Sequence, residues 1–293
     1  MRKKIIQSIA LFGMVSNVMC QVGVGTSNPD NSAVLEVNST AKGFLLPRIT
    51  KAQILAISNP AEGLIVYCTD CALKGMYIFD GELFNNFAGT SSIVNTVTGA
   101  GGNEWMDRNL GASRVAIFRS DHLAYGNIYQ WGRNSDGHEV ITWVSAATTD
   151  GTEQANQTSG PVASGAEGTN FITVSGQIDW LTVQDDTRWN GINKGTHDPC
   201  PLGFRIPTEA EWTAERVTWA SSNRDGAFAS SLKLPTPGIR INSGELFAIG
   251  GDGFYWSSTV DGTVSNALNF NSSQAENVTL NRSYGMSVRC IKE

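Results

Sequence analysis

Residues Asp198–Trp212 read DPCPLGFRIPTEAEW, and this stretch contains more structural information than any other part of the chain. Pro207 fixes the backbone at the entry to a helix, and Thr208 can cap the first turn. Glu211, three residues after Thr208, can bond back to the cap and complete a capping box. The sequence therefore predicts a helix that begins near Glu209.

The first twenty residues have the composition of a secretory leader. Arg2, Lys3 and Lys4 precede an apolar run that polar residues interrupt, and this run is too short for a convincing membrane span. Cleavage after Cys20 predicts a secreted or cell-surface protein. The alternative is an outer-membrane lipoprotein that keeps Cys20 as a lipidated anchor.

Four cysteines follow Cys20, and an even number in an exported chain favours disulfides over metal sites. We expect Cys200 to pair with Cys290, which leaves Cys68 to pair with Cys71. The segments that flank Cys68 and Cys71 alternate as in a β-hairpin. This pair is therefore predicted to be a structural staple rather than a catalytic dithiol.

The charge of the chain argues against a nucleic-acid partner. Removal of the leader takes away three of the 21 basic residues and none of the 27 acidic ones, which leaves a net charge of −9. The chain has no basic patch of the kind that contacts phosphates. Of its 293 residues, 41% are hydrophobic, which is ample for a packed core.

Composition divides the mature chain into three parts. Residues 21–87 are predicted to form a small β-rich module, in which Thr50 and Gln53 form a second capping box. Residues 88–102, AGTSSIVNTVTGAGG, have the composition of a flexible linker. Residues 103–293 are predicted to form the larger domain, with short strands, few helices and long loops.

Five motifs of the larger domain resemble the FISUMP family, the major paralogous domain of bacterial surface and secreted proteins. In chain order they are WMDRNLGASR (Trp105–Arg114), AYGNIYQWGR (Ala124–Arg133), DDTRWNGINKG (Asp185–Gly195), DPCPLGFRIPTEAEW and YWSS (Tyr255–Ser258). The resemblance implies an α+β, C-type-lectin-like fold for residues 103–293.

The mature N-terminus resembles the segment that precedes many exported adhesin-like and tail-fibre-like bacterial proteins. The matching residues are Gly23-Val24-Gly25-Thr26, Pro29, Val34–Val37, Lys42-Gly43 and Pro47-Arg48. In tail-fibre proteins such segments help to assemble trimers, so the resemblance implies a homotrimer. The alternative is a small β-rich spacer.

The string GFRIPTEAEW is also similar to a piece of the formylglycine-generating enzyme family, which relies on reactive cysteines late in the chain. Here the only late cysteine is Cys290, and the residues after Trp212 depart from that pattern. His197 is predicted to hold a turn beside Cys200. The sequence therefore predicts no catalytic residue and a protein that is not an enzyme.

No metal or cofactor is predicted, although calcium stays open as an alternative because many lectin-like domains bind it through loop carboxylates. The chain lacks the tripeptides EPN and QPD and the string WND. Its candidate carboxylates, Asp136, Glu139, Asp150 and Asp252, are scattered along the sequence. A solvated surface accounts for them better than a metal site does.

Aromatic, amide and guanidinium groups near the C-terminal strands have the chemistry of a ligand-binding surface. Aromatic rings stack on the apolar faces of sugars, while Asn and Arg bond to hydroxyl groups. The predicted ligand-binding residues are Tyr255, Asn266, Asn269, Asn271, Arg282 and Tyr284.

These observations together predict an exported, adhesin-like or lectin-like protein that binds a glycan or protein ligand on a surface. Three alternatives remain. The chain could be an enzyme on the formylglycine-generating scaffold, a structural surface or fibre component, or a variable ligand-binding target of a diversity-generating retroelement.

Overall fold

The computed structural model describes residues 21–71, 73–89, 91–189 and 191–293. The chain divides into two compact units, one that ends at Arg48 and one that comprises Ile49–Glu293. The boundary lies well before residues 88–102, where the sequence predicted a linker. Residues 49–87 therefore group with the larger unit and not with the N-terminal segment. The predicted leader, residues 1–20, lies outside the described residues.

The N-terminal unit contains one pair of short parallel strands, β1 (Val22–Val24) and β2 (Leu35–Val37). Gly25 ends β1 with a φ of 78°, and a Cβ atom at this position would lie 2.1 Å from the Asn38 carbonyl oxygen. Only glycine fits such a close approach of two backbone segments. The strand pair therefore depends on the glycine in the Gly-Val-Gly-Thr string.

The larger unit starts with a five-stranded sheet in spatial order β3-β4-β5-β6-β7. Its elements are β3 (Arg48–Ile49), α1 (Lys51–Leu55), β4 (Ile65–Cys68), β5 (Gly75–Phe79), β6 (Phe84–Asn86) and β7 (Ser92–Ile93). The predicted capping box of α1 is confirmed, because Thr50 Oγ1 accepts from the Gln53 N–H and Gln53 Oε1 accepts from the Thr50 N–H at 2.8 Å. Strands β4 and β5 form the predicted hairpin, and the Cys68–Cys71 disulfide lies at its tip.

The prediction of a flexible linker over residues 88–102 is wrong. This segment contains β7 and β8 (Thr96–Thr98), and Ser92, Ile93 and Val94 are buried. Ile93 packs with the five-stranded sheet, while Val94 belongs to the main core. Small residues suggested flexibility, but the strings SIV and TVT are rich in β-branched side chains that favour strands once they are half-buried.

The rest of the larger unit is β-rich with few helices, in agreement with the α+β prediction. The strands are β9 (Glu104–Met106), β10 (Tyr129–Gln130), β11 (Trp143–Ser145), β12 (Thr148–Thr149), β13 (Gln157–Ser159), β14 (Phe171–Thr173), β15 (Phe204–Arg205), β16 (Ile239–Arg240), β17 (Leu246–Phe247), β18 (Gly253–Asp261), β19 (Val264–Phe270), β20 (Ala275–Leu280), β21 (Gly285–Met286) and β22 (Ile291–Lys292). The helices are α2 (Thr152–Ala155), α3 (Glu209–Arg216) and α4 (Arg224–Ala229), with a 3-10 turn at His122–Ala124. None of the helices in the described ranges has the length and apolarity needed to cross a bilayer.

Three sheets organise this part of the unit. The longest strands form the antiparallel meander β18-β19-β20, and a second sheet has the order β10-β21-β16-β17. In the third sheet, of order β15-β22-β9-β8, Ile291 of β22 pairs with Trp105 of β9. The last strand of the chain therefore lies beside strands from the start of the predicted larger domain.

Helix α3 begins at Glu209, as predicted. Thr208 Oγ1 accepts from the Glu211 N–H at 3.3 Å, and Glu211 Oε2 accepts from the Thr208 N–H at 2.7 Å. Arg205 also donates to the Glu211 carboxylate at 2.6 Å. The capping box is thus tied to β15, which fixes where the helix leaves the sheet.

The core is built around six fully buried tryptophans: Trp105, Trp131, Trp180, Trp189, Trp212 and Trp256. Backbone carbonyls accept from the indole N–H groups of Trp131, Trp212 and Trp256 at 2.8 to 3.0 Å. The predicted Cys200–Cys290 disulfide is present and lies in the same cluster as Trp131 and Trp256.

Candidate functional site

The N-terminal unit exposes an apolar surface. The register of the strand pair places Val22 beside Leu35 and Val24 beside Val37. Since side chains alternate along a strand, these four share one face. Each is between 42% and 53% exposed. We call this face of Val22, Val24, Leu35 and Val37 the N-terminal apolar surface; Val34, Phe44 and Leu45 of the same unit are still more exposed.

None of residues 21–48, the described part of the N-terminal unit, covers this surface. No residue among positions 21–48, all of them described, is buried. A segment of this length is too small to bury a core of its own, and such segments are usually stabilised by oligomerisation, metals or disulfides. A concentrated set of exposed large hydrophobic side chains marks an interaction surface. The N-terminal apolar surface is therefore the strongest candidate for a functional site.

Four of the six predicted ligand-binding residues are buried in the larger unit. These are Tyr255, Asn266, Asn269 and Arg282. The Tyr255 hydroxyl donates to the Pro235 carbonyl at 2.8 Å and accepts from Asn109 Nδ2 at 3.1 Å. Arg282 forms an ion pair with Asp186 at 2.7 Å and lies over the Trp131 ring at 4.4 Å. These two side chains are structural parts of the core.

The other two predicted residues, Asn271 and Tyr284, are partly exposed. The Asn271 carboxamide accepts from the Ser273 and Gln274 N–H groups and so shapes the turn between β19 and β20. Tyr284 packs against the main core cluster. The structure does not bring the six residues to one open surface, and ligand binding by them stays a prediction.

Two of the four carboxylates considered for calcium lie close together in the structure. Asp136 and Glu139 lie on either side of His138, with 2.6 and 3.3 Å between their oxygens and His138 Nδ1. Arg133 donates to both oxygens of Asp136 at 2.9 Å. Calcium takes six to eight oxygen ligands. The carboxylate oxygens here are engaged by a guanidinium and an imidazole, so the arrangement is a satisfied network that does not suit calcium.

His138 is held neutral in this network. Burial lowers the pKa of His138 from its usual 6.5 to about 4. The geometry agrees, since His138 Nε2 accepts from the Gln130 N–H at 3.0 Å and protonation would break that bond. Between pH 6.5 and 4 the unfolded chain therefore binds a proton at this residue that the folded protein does not.

We expect this difference to weaken the fold on acidification. Stability falls as the pH drops wherever the unfolded state binds more protons than the folded state does. Between pH 6.5 and 4, His138 therefore reduces the free energy of unfolding by up to about 3 kcal/mol. Urea unfolding across this range should show a flatter pH dependence in His138→Gln than in the wild type. The matched variant His122→Gln, at a partly exposed histidine, controls for the loss of an imidazole as such. Equal slopes for the wild type and His138→Gln would contradict the assignment.

The sequence did not single out a polar cavity of about 300 Å³ that Arg188 and His197 line. The prediction for His197 was only that it holds a turn. Its backbone does so, because the carbonyl accepts from Trp189 Nε1 at 2.8 Å. The His197 side chain, however, lines the cavity. No pattern in the sequence could have placed Asn134, Arg188 and His197 around one space, since they come from different motifs.

Comparison with known families identifies one match. Residues 23–100 match the phage tail-like trimerisation region, which confirms the tail-fibre-like character predicted for the N-terminal segment. The match covers residues 23–48 of the N-terminal unit and the five-stranded sheet. It supports a homotrimer and a structural, fibre-like role. No curated protein and no solved structure matches the chain.

Proposed function

We propose that this protein is a homotrimeric structural component of a bacterial surface or fibre, assembled through the N-terminal apolar surface. The observation that carries the proposal is that residues 21–48 expose seven large hydrophobic side chains and bury none. The match of residues 23–100 to a trimerisation region supports the same conclusion.

Trimer formation would stabilise this segment in two ways. Association removes the exposed valine and leucine side chains from water, which is the dominant favourable term in most protein association. The outer edges of β1 and β2 also present backbone groups that can pair with another chain. In a threefold ring, each subunit's head-to-tail contact is made within the ring. The assembly therefore cannot grow into an open-ended filament.

The test is the mass of the full mature chain in solution. We expect light scattering after gel filtration to give a trimer for the wild type and a monomer for the double variant Val24→Asp, Val37→Asp. Two carboxylates per subunit would have to be buried without partners in the trimer, and that cost is prohibitive.

The matched control is Val183→Asp, which places the same charge on a 77% exposed valine of the larger unit. This variant should remain trimeric. A monomeric wild type would overturn the proposal, and so would a double variant that stays trimeric.

For residues 103–293 we propose the C-type-lectin-like fold that the FISUMP resemblance implies. The antiparallel sheet β18-β19-β20, the short helices α3 and α4 and the extensive irregular segments support this proposal. Under this proposal the leader of residues 1–20 directs export, and the trimer displays residues 103–293. This domain has no enzymatic activity.

A further inference from the structure

The polar cavity is lined by the ends of three sequence motifs. Asn134 and Asp136 follow the WGR string, Arg188 belongs to DDTRWNG, and His197 belongs to THDPC. These residues face a loop of the long polar segment between β12 and β14. The six residues used below are Asn134, Asp136, Ser164, Glu167, Arg188 and His197. A volume of about 300 Å³ is at the lower end of the range for small-molecule sites.

Arg188 forms a rigid floor for the cavity. Its side chain is 2% exposed, and its guanidinium lies over the Trp180 ring at 4.9 Å. Nη1 donates to the Gly132 carbonyl at 3.2 Å, while Nη2 donates to Ser164 Oγ at 2.8 Å and Glu167 Oε1 at 2.5 Å. The floor is therefore bonded directly to the loop that forms the opposite wall.

Arg133 holds the same loop from its other end. Its guanidinium donates to the Asn170 carbonyl at 2.9 Å and to the Gly168 carbonyl at 3.0 Å. It also lies 5.4 Å from the Trp180 ring, so two arginines share this tryptophan. Because the loop is fixed before any ligand arrives, binding would cost little ordering entropy.

The charges around the cavity are compensated. Arg188 is paired with Glu167 and lies 3.6 Å from Asp185, and Arg133 is paired with Asp136. An anionic ligand would meet no unpaired cation here, because both arginines are already paired with carboxylates. A neutral ligand with many polar groups fits this environment better.

Hydrogen-bonding groups of both kinds remain available at the rim. The Asn134 carboxamide makes no hydrogen bond within the described ranges, and it can both donate and accept. His197 uses Nδ1 toward Thr196 at 3.0 Å, which leaves Nε2 for a ligand. Burial and the nearby Arg188 charge lower the pKa of His197, so its ring is neutral near pH 7 and Nε2 donates or accepts according to the tautomer.

We infer that this cavity binds one neutral hexose ring, as a free sugar or as the terminal residue of a glycan. Hydroxyl groups donate and accept at once, which matches the mixed groups at the rim and the paired charges below them. The inference does not depend on trimer formation, because every residue that it uses lies in the larger unit.

The experiment is saturation-transfer NMR of the full mature chain with glucose, galactose, mannose and N-acetylglucosamine, each tested alone. At a ligand efficiency of about 0.3 kcal/mol per non-hydrogen atom, a hexose of about twelve such atoms has a dissociation constant on the order of 1 mM, so each sugar is added about tenfold above that value. At least one of the four should receive saturation from the wild type. The double variant Asn134→Ala, His197→Ala should lose at least four-fifths of that signal.

The controls distinguish loss of the binding site from loss of the folded state. The His197 side chain makes only the bond to Thr196 within the described ranges, so the double variant should melt at the wild-type temperature. His122→Ala removes a partly exposed imidazole that does not line the cavity and should keep the full signal. Absence of signal from all four sugars would overturn the inference. An unchanged signal in a folded double variant would overturn it as well, while failure of the trimer test would leave it intact.

Discussion

We expect replacement of both Cys200 and Cys290 with Ala to lower the free energy of unfolding by roughly 4 to 5 kcal/mol. The disulfide joins residues 90 positions apart, and a loop of this length restricts the unfolded chain strongly in the chain-entropy account. Both sulfurs are also buried in the tryptophan-lined core. Urea unfolding of the full mature chain, with and without reductant, measures the effect.

The second disulfide provides an internal control. Cys68 and Cys71 are only three positions apart, so the same relation gives an entropic contribution of about 1.7 kcal/mol. The variant with Ala at both positions should therefore lose less than half as much stability. Equal losses in the two double variants would contradict the loop-length explanation.

We expect Arg282→Ala to lower the free energy of unfolding by about 2 to 5 kcal/mol, because it empties a buried site beside Trp131 and removes the cation next to the partly buried Asp179. The guanidinium is 1% exposed, pairs with Asp186 at 2.7 Å and lies 3.9 Å from Asp179. Burial already raises the pKa of Asp179, and removal of Arg282 takes away a charge that opposes this effect. Thermal or urea unfolding tests the prediction.

Arg119 serves as a control, because it carries the same charge as Arg282 but is exposed. Arg119 pairs with Asp225 at the surface, where the two side chains are 40% and 62% exposed. Exposed ion pairs contribute at most about 1 kcal/mol, so Arg119→Ala should be nearly neutral. If Arg282→Ala were equally neutral but lost a ligand, the structural role would be refuted and the predicted ligand role supported.

Local chemistry made several features predictable. Both capping boxes follow from residue types three positions apart, and α1 and α3 begin where those residues indicated. The hairpin around Cys68 and Cys71 follows from alternation on either side of a turn. Each of these features is determined by neighbours in the sequence, so no tertiary information was needed.

Long-range contacts account for what the sequence did not reveal. Arg and Asn near the C-terminal strands suggested a polar surface, yet Arg289 is buried with its guanidinium donating to the Leu232 carbonyl at 2.7 Å and to Asn109 Oδ1 at 2.9 Å. Its partners lie 57 and 180 positions away in the chain. Whether an arginine is exposed or buried thus depended on acceptors that only the folded chain brings together.

Under the proposed fibre role, the Cys200–Cys290 bridge also has a mechanical consequence. When tension pulls the two ends of the chain apart, the covalent link transmits the force directly from one cysteine to the other. The 90 positions between them then cannot extend, which withholds roughly 300 Å of contour length at about 3.5 Å per residue. Helix α3 and the meander β18-β19-β20 lie inside this closed loop. They are therefore shielded from longitudinal stress, whereas β9 and the five-stranded sheet bear it.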